Sequence, residues 1–361
     1  MMPLPAAGLP DLPPLDFSSL SAYLESAAQW IERVLPRYLP GGEPDRFLYG
    51  PARDYPLRGG KRFRPALLLL SAALCGADAR LALPSAVALE LFQNFALVHD
   101  DIEDGSWMRR GKPALHRLHG VPLAINAGDL LYSLVFEALQ ENEALLGAPQ
   151  AWAVQAEFLR VFRHTFEGQA LDIGWIQSDH LPSRAEYETM IRLKTGWYSG
   201  RGPCRIGALI AGAPAAAREA LGEFGERLGI GFQVRDDVLN LAPDSAQQAP
   251  AAQGGGYGKE QGGDFAEGKR TLIVIHMLER LAPAEQARLR EILATPPEQT
   301  RPEQIAWAIR MAESSGALDA VRAHCRDLAG QARQALRQLP SCPQRALLEE
   351  MTGFLIVERG T

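Results

Sequence analysis

Cysteine is scarce: the 361 residues contain four, Cys75, Cys204, Cys325 and Cys342, far apart, with no Cys-x-x-Cys pair and no histidine at zinc-ligand spacing. A disulfide scaffold and a structural zinc site are thereby excluded, and buried thiols in a reducing compartment are expected. Aromatic residues make up only 7%, and the basic clusters lack the aromatic interleaving of single-strand nucleic-acid binders. There is no basic excess either: 43 acidic residues face 37 basic ones, for a net charge of −6. A protein that grips nucleic acid through its phosphates usually has the opposite balance, so no nucleic-acid partner is expected. The longest apolar run, Ala66–Cys75, is interrupted by Ser71 and ends at Gly76-Ala77-Asp78. It is about half the length a bilayer helix needs, so no membrane span is expected. Met1 to Phe17 is rich in proline and leucine but has no Lys, Arg or apolar h-region. Residues 1–16 therefore read as a flexible lead-in rather than a signal peptide, and the protein as cytoplasmic.

What is present is helical period. Leu20, Tyr23, Leu24, Ala27, Trp30, Ile31, Val34 and Leu35 form one stripe at spacings of three and four. Leu318, Val321, Cys325, Leu328, Ala332, Ala335 and Leu339 repeat the pattern near the other end. Between them Ala66–Cys75, Leu83–Asp104, Ala127–Glu141, Ala151–Ile176, Arg184–Gly212 and Ala215–Leu241 favour helix, while alternating β-branched segments are scarce. Pro40-Gly41-Gly42, Gly111-Lys112-Pro113 and Gly212-Ala213-Pro214 mark helix ends. The expectation is an all-α protein: one large helical bundle over residues 17–361, with a flexible loop near 243–263 over a site.

The strongest chemical signal is His99-Asp100-Asp101-Ile102-Glu103-Asp104, at the end of an apolar helical run. Asp100 and Asp104 lie one turn apart on one face, and carboxylates this close raise one another's pKa unless a cation compensates them. An oxygen-only donor set suits Mg2+, which shares its shell with water and phosphate. Alone, such a helix end is more often a solvated surface than a metal site. A second one, Asp236-Asp237-Val238-Leu239-Asn240, repeats the spacing after Phe224, Leu228 and Phe232. Two of them suggest a magnesium cluster. Cations stand where a polyphosphate would want them: Gly59-Gly60-Lys61-Arg62-Phe63-Arg64 opening a helix, Arg109-Arg110-Gly111-Lys112, Lys194, Lys259 and Lys269-Arg270.

From about Leu57 to Arg270 the ordered motifs resemble those of the trans-isoprenyl diphosphate synthases, or polyprenyl synthetases. They are Gly60-Lys61-x-x-Arg64-Pro65, Asp100-Asp101-x-x-Asp104, Arg109-Arg110-Gly111, Lys194-Thr195, Gly231-Phe232-Gln233-x-x-Asp236-Asp237 and Gly268-Lys269. The resemblance implies an isoprenoid-synthase bundle around a central cavity, a homodimer, and head-to-tail 1′-4 condensation of isopentenyl diphosphate with an allylic diphosphate. It implies three Mg2+ ions, with Mn2+ as a substitute, on Asp100, Asp101, Asp104, Asp236, Asp237 and Asn240. Arg109, Lys194 and Lys259 would stabilise the departing pyrophosphate. Lys61, Arg64, Gln93, Arg110 and Lys269 would bind substrate, and Thr195 and Gln233 would line the cationic centre. His99 reads as a packing residue.

Two positions depart from the family pattern. Asn240 stands where many relatives have Asp, and Gln93 where many have His; in its glutamine the chain resembles farnesyl synthases of the animal and fungal type. Chain length is addressed by Phe95 and Ala96, five and four residues before Asp100. Each helical turn changes tunnel depth by about 5 Å, on the order of one isoprene unit. By resemblance to the family, a single aromatic at this place with a small neighbour, and no insertion inside the aspartate motif, suits geranylgeranyl diphosphate (C20), with farnesyl diphosphate (C15) the alternative; an ordinary core role for Phe95 stays open. A class I terpene cyclase would carry Asn-x-x-x-Ser-x-x-x-Glu on a late helix, which is not seen, and a silent regulatory subunit would be expected to lose one aspartate motif.

Overall fold

The computed structural model describes residues 11–241 and 261–358. Their helices, in order, are α1 (Leu20–Val34), α2 (Gly50–Leu57), α3 (Phe63–Leu74), α4 (Leu83–Glu103), α5 (Leu115–His119), α6 (Val121–Leu146), α7 (Ala148–Gln177) and α8 (Arg184–Ile191). They continue with α9 (Gly202–Ile210), α10 (Ala215–Leu241), α11 (Gly263–Ala266), α12 (Leu272–Arg280), α13 (Pro283–Ala294), α14 (Pro302–Ser314), α15 (Ala317–Leu336) and α16 (Pro343–Thr352). Among the described residues the only strands are β1 (Met108–Arg109) and β2 (Lys112–Pro113), an antiparallel pair of two residues each. Arg110 and Gly111 turn this hairpin with φ of 52° and 73°, the backbone that tight hairpins require.

Period located the helices well where both ends are punctuated. α10 has the expected bounds. The stretch Ala127–Glu141 grows to Val121–Leu146, because Pro122 and Gly147 rather than the apolar pattern set its ends. Arg184–Gly212 is not one helix: α8 passes into a π-helical stretch, Arg192–Arg201, before α9. The wider coil falls on Lys194-Thr195-Gly196, a device common at functional sites. The loop expected near 243–263 lies outside the described residues as far as 260, and so does Lys259.

The chain divides into two compact units. The first comprises Met1–Val161, Ser199–Gly225 and Ala335–Met351. Its spine is α4, buried on every side from Leu83 to Phe95 and packed on α6, as expected of a helix apolar all round. α3 lies on α9 so closely that a Cβ at Gly207 would stand 2.4 Å from the Leu68 carbonyl oxygen. The end of the N-terminal lead-in is held against α1: Leu12 is buried and the Trp30 indole donates to the Pro13 carbonyl at 2.7 Å. The second unit comprises Phe162–Tyr198, Glu226–Gln334 and Thr352–Thr361. In it α12, capped by Thr271 and buried from Leu272 to Met277, packs on α8, α13 and α14.

Uninterrupted runs understate the apolar helices. Among the described residues two helical stretches, Ala79–Glu103 (α4 with the 3-10 turn before it) and Val121–Leu146, are long and apolar enough to cross a membrane. The apolar stretch of the first is 83% buried inside the protein, as in a core helix, whereas that of the second is only 39% buried. All four cysteines are free. Burial pushes the thiols of Cys75, Cys204 and Cys325 up, to about 11, 12 and 12.

Candidate active site

The first acidic cluster splits by burial. Asp100 and Asp104 are half-buried at the end of α4, while Asp101 has no exposed surface. The Asp101 carboxylate accepts from the Tyr55 hydroxyl at 2.5 Å and from Arg109 Nε at 3.0 and 3.1 Å. Arg109 also lies 3.7 Å from Asp100. Burial opposes the charge of Arg109, but Asp101 and Asp100 outweigh it and raise its pKa. This carboxylate therefore has two organised donors inside the protein, and Asp100 and Asp104 are the more accessible pair.

Around it stands a set of arginines. Arg110 donates to the Tyr55 carbonyl at 2.9 Å. Its guanidinium is pulled down to about 10 by burial and by Arg62, Arg109 and Arg58, against the pull of Glu90. Arg62, at φ 46°, is paired with buried Glu90, which also accepts from Asn94. Arg64 donates to the Ser199 hydroxyl at 3.0 and 2.8 Å, and Lys61 is exposed. Gln93 is buried, with its Oε1 lacking a hydrogen-bond partner among the described residues. A buried guanidinium crowded by other arginines, as Arg110 is, is stabilised by an anion. Phe95 lies one turn below Asp100, its ring 4.7 Å from His99, 5.0 Å from Tyr132 on α6 and 5.6 Å from Phe92. Ala96 is half-buried.

In the second unit, α10 ends in the second acidic cluster. Asp237 is buried and accepts from Gln233 at 3.0 Å and from the Tyr187 hydroxyl at 3.3 Å. Burial raises its carboxyl well above the usual range; Asp264 and Asp236 add to this, while the two hydrogen bonds oppose it. Asn240 is fully buried, its Oδ1 accepting the Asp264 N–H at 3.2 Å and its carbonyl the Gly262 N–H at 2.8 Å. The amide thus pins the turn that carries Asp264. Lys194 pairs with buried Asp172, and Lys269 reaches the same carboxylate at 3.5 Å. Thr195, next in the π-helical stretch, is buried.

Asp172, Asp264 and Tyr55 do not emerge from sequence motifs. Asp172, which like Glu157 is a charge on the core-facing stripe of α7, carries a signal that could have found it, since buried charges are rarely unpaired. Asp264 precedes Gly268-Lys269 by only a few residues. Tyr55 gives no such sign.

The donor set fits magnesium. It consists of oxygens alone, and the proton affinity of Asp237 beside Asp236 and Asp264 is what a divalent cation would relieve. Among the described residues no three His, Cys, Asp or Glu side chains are gathered closely enough to cage an ion. Mg2+ does not need such a cage, because water and substrate phosphate complete its shell.

The comparisons with known proteins agree with this chemistry. The profile of the family described as polyprenyl synthetase matches residues 45–311. A geranylgeranyl pyrophosphate synthase of Geoglobus acetivorans is 35% identical over 342 residues, 93% of this chain and 98% of that one. The crystal structure of the geranylgeranyl pyrophosphate synthetase of Pyrococcus horikoshii superposes with a TM-score of 0.83 at 34% identity, covering 94% of this chain and 98% of that one. A geranylgeranyl pyrophosphate synthase of Corynebacterium glutamicum, crystallised with isoprenyl diphosphate and magnesium, gives a TM-score of 0.80 at 27% identity, covering 95% and 99%. With the helical fold of an isoprenoid synthase and the family's motifs in order, the chain belongs to the polyprenyl synthetase family, as a short-chain trans-prenyltransferase.

Proposed function

We propose that the chain condenses isopentenyl diphosphate with an allylic diphosphate, head to tail, and stops at geranylgeranyl diphosphate. The observation that carries the product length is the aromatic group beneath the first aspartate motif. Phe95 does not stand alone there: Tyr132 packs on it from α6, and Phe136 packs on Tyr132 at 5.3 Å. A chain growing from Asp100 along α4 would meet this group after about one helical turn, with Ala96 leaving room beside it.

Asp100, Asp101, Asp104, Asp236, Asp237 and Asn240 would hold metal, three ions in all, with Asp100 and Asp104 the more accessible carboxylates of the first motif. When bound, Mg2+ neutralises the diphosphate and helps it depart as the allylic C–O bond breaks. Arg109 and Lys194 would add positive charge where the pyrophosphate separates, and the resemblance assigns the same part to Lys259. Lys61, Arg64, Gln93 and Arg110 orient isopentenyl diphosphate, with Lys269 acting through the Asp172 pair. The Thr195 hydroxyl and the Gln233 carbonyl offer dipoles to the allylic cation. The double bond of isopentenyl diphosphate attacks that cation, and a proton then leaves to the released pyrophosphate. A second copy of the chain is the proposed cover for α6, where Val121 and Ile125 are exposed.

Incubation with isopentenyl diphosphate and dimethylallyl, geranyl or farnesyl diphosphate, followed by product sizing, tests this directly. C20 is the expected end product, and arrest at C15 moves the assignment to farnesyl diphosphate. Lack of incorporation from all three starters would overturn the prenyltransferase reading, and hydrocarbon formed without isopentenyl diphosphate would indicate a cyclase. Phe95→Ala is expected to lengthen the product by at least one isoprene unit. An unchanged product spectrum removes Phe95 as the floor.

A further inference from the structure

α2 contributes no residue to the motifs, yet its last turn touches most of the first-unit site. The Tyr55 hydroxyl donates to Asp101 at 2.5 Å and accepts the Leu115 N–H at 2.9 Å, so it joins the end of α4 to the start of α5. The Tyr55 carbonyl takes Arg110 Nη1 at 2.9 Å. Arg58, the C-cap of α2, lies over the Tyr55 ring at 4.6 Å and donates to the carbonyls of Arg109 at 2.8 Å and Pro113 at 2.9 Å. Its Nε is paired with Asp54, one turn earlier. Both strands of the hairpin are therefore tied to α2 through Arg58, and both side chains of the Arg109-Arg110 pair are held by Tyr55, one through Asp101 and one directly.

The arrangement has a physical purpose. The hairpin is only two residues per strand, too short to hold its own shape. Arg109 and Arg110 also repel each other within a partly buried site. Without an external brace their guanidinium groups would spread toward water. Tyr55 and Arg58 supply that brace from the end of α2, where Tyr55 is buried.

We propose that Tyr55 and Arg58 form a positioning clamp that sets the first aspartate motif and the Arg109-Arg110 hairpin at a fixed separation before substrate arrives. What those groups bind rests on the functional reading above; the clamp itself rests on the contacts of α2. The hydroxyl arm serves Asp101 and Arg109, the carbonyl arm serves Arg110, and Arg58 serves both.

Tyr55→Phe separates these arms, because it keeps the ring under Arg58 and the carbonyl for Arg110 while deleting the hydroxyl. Misplacing Arg109 and Asp101 should lower kcat about tenfold. Affinity for inorganic pyrophosphate with Mg2+, measured by calorimetry, should fall about fivefold while the KM for isopentenyl diphosphate stays within about twofold. Combined with Arg109→Lys, the loss should be no larger than for Arg109→Lys alone, since both act through one contact. A merely structural tyrosine would lower thermal stability, leave the split between the two ligands absent, and add to Arg109→Lys. Either that pattern or unchanged kcat and pyrophosphate affinity overturns the clamp. Arg58→Lys is the second arm, and it decides if Tyr55→Phe does not fold. It should weaken both pyrophosphate and isopentenyl diphosphate, and unchanged values for both overturn the proposal. A wild-type chain that binds pyrophosphate with Mg2+ but forms no product would defeat the functional reading, while the binding arm still decides the clamp.

Discussion

Asp100→Asn is expected to reduce kcat about a thousandfold at saturating substrate and Mg2+, with the thermal midpoint nearly unchanged. The amide keeps the shape of the side chain but removes the charge that would hold the metal and, through it, the diphosphate. Asp100 is half-buried at a helix end, so its loss leaves no deep group uncompensated. Asp101→Asn in the same motif should behave differently. It would leave the Tyr55 hydroxyl and the Arg109 guanidinium facing a neutral amide inside the protein. Breaking a buried ion pair of this kind costs about 3 kcal/mol, so this variant should lose stability as well as activity. Steady-state kinetics with a Mg2+ titration, alongside thermal melts, distinguish the two. Equal melting temperatures for both variants would contradict the division of roles within the motif.

Gly168→Ala should be nearly as damaging, although Gly168 has no side chain to offer a substrate. A Cβ at this position of α7 would stand 2.1 Å from the backbone nitrogen of Lys194, 2.6 Å from its Cα and 2.8 Å from the Leu193 carbonyl carbon. None of these atoms can rotate away, so the helix and the π-helical stretch must separate. Lys194 would then leave Asp172, which it shares with Lys269. Overpacking of this kind costs about 1–3 kcal/mol. Displacing a cationic group by about an ångström can cost on the order of a hundredfold in rate. Gly174→Ala provides the control on the same helix, since a Cβ there meets nothing within 4 Å. Removing that glycine should stabilise the helix by about 1 kcal/mol and leave kcat unaltered. If Gly168→Ala kept wild-type activity, the close approach of α7 to Lys194 would have no functional weight.

These two predictions show how unevenly the site was written in the chain. Asp100, Asp101, Asp104, Asp236 and Asp237 could be read directly, because adjacent carboxylates at a helix end are costly without a cation and so stand out. Their order with Gly60-Lys61, Arg109-Arg110 and Gly268-Lys269 was legible too. The difference between Asp100 and Asp101 was not, because it depends on Tyr55, 46 residues earlier. Asp172 and Asp264 were missed for the same reason. Each is a single carboxylate whose meaning comes from a lysine or a second aspartate brought to it by folding. Phe95 could be singled out from its place before Asp100, but its aromatic neighbour Tyr132 on α6 could not.

By itself the sequence determined the helical class, the bounds of α10, the residues that carry charge and the family they mark. Those are local properties: period, punctuation and the chemistry of neighbours along one chain. Only the tertiary structure decided which carboxylate is buried and braced, which glycine admits a passing backbone, and which lysines share one aspartate. Such decisions belong to pairs distant in sequence, and a periodic pattern shows which face a residue presents without showing what will meet it.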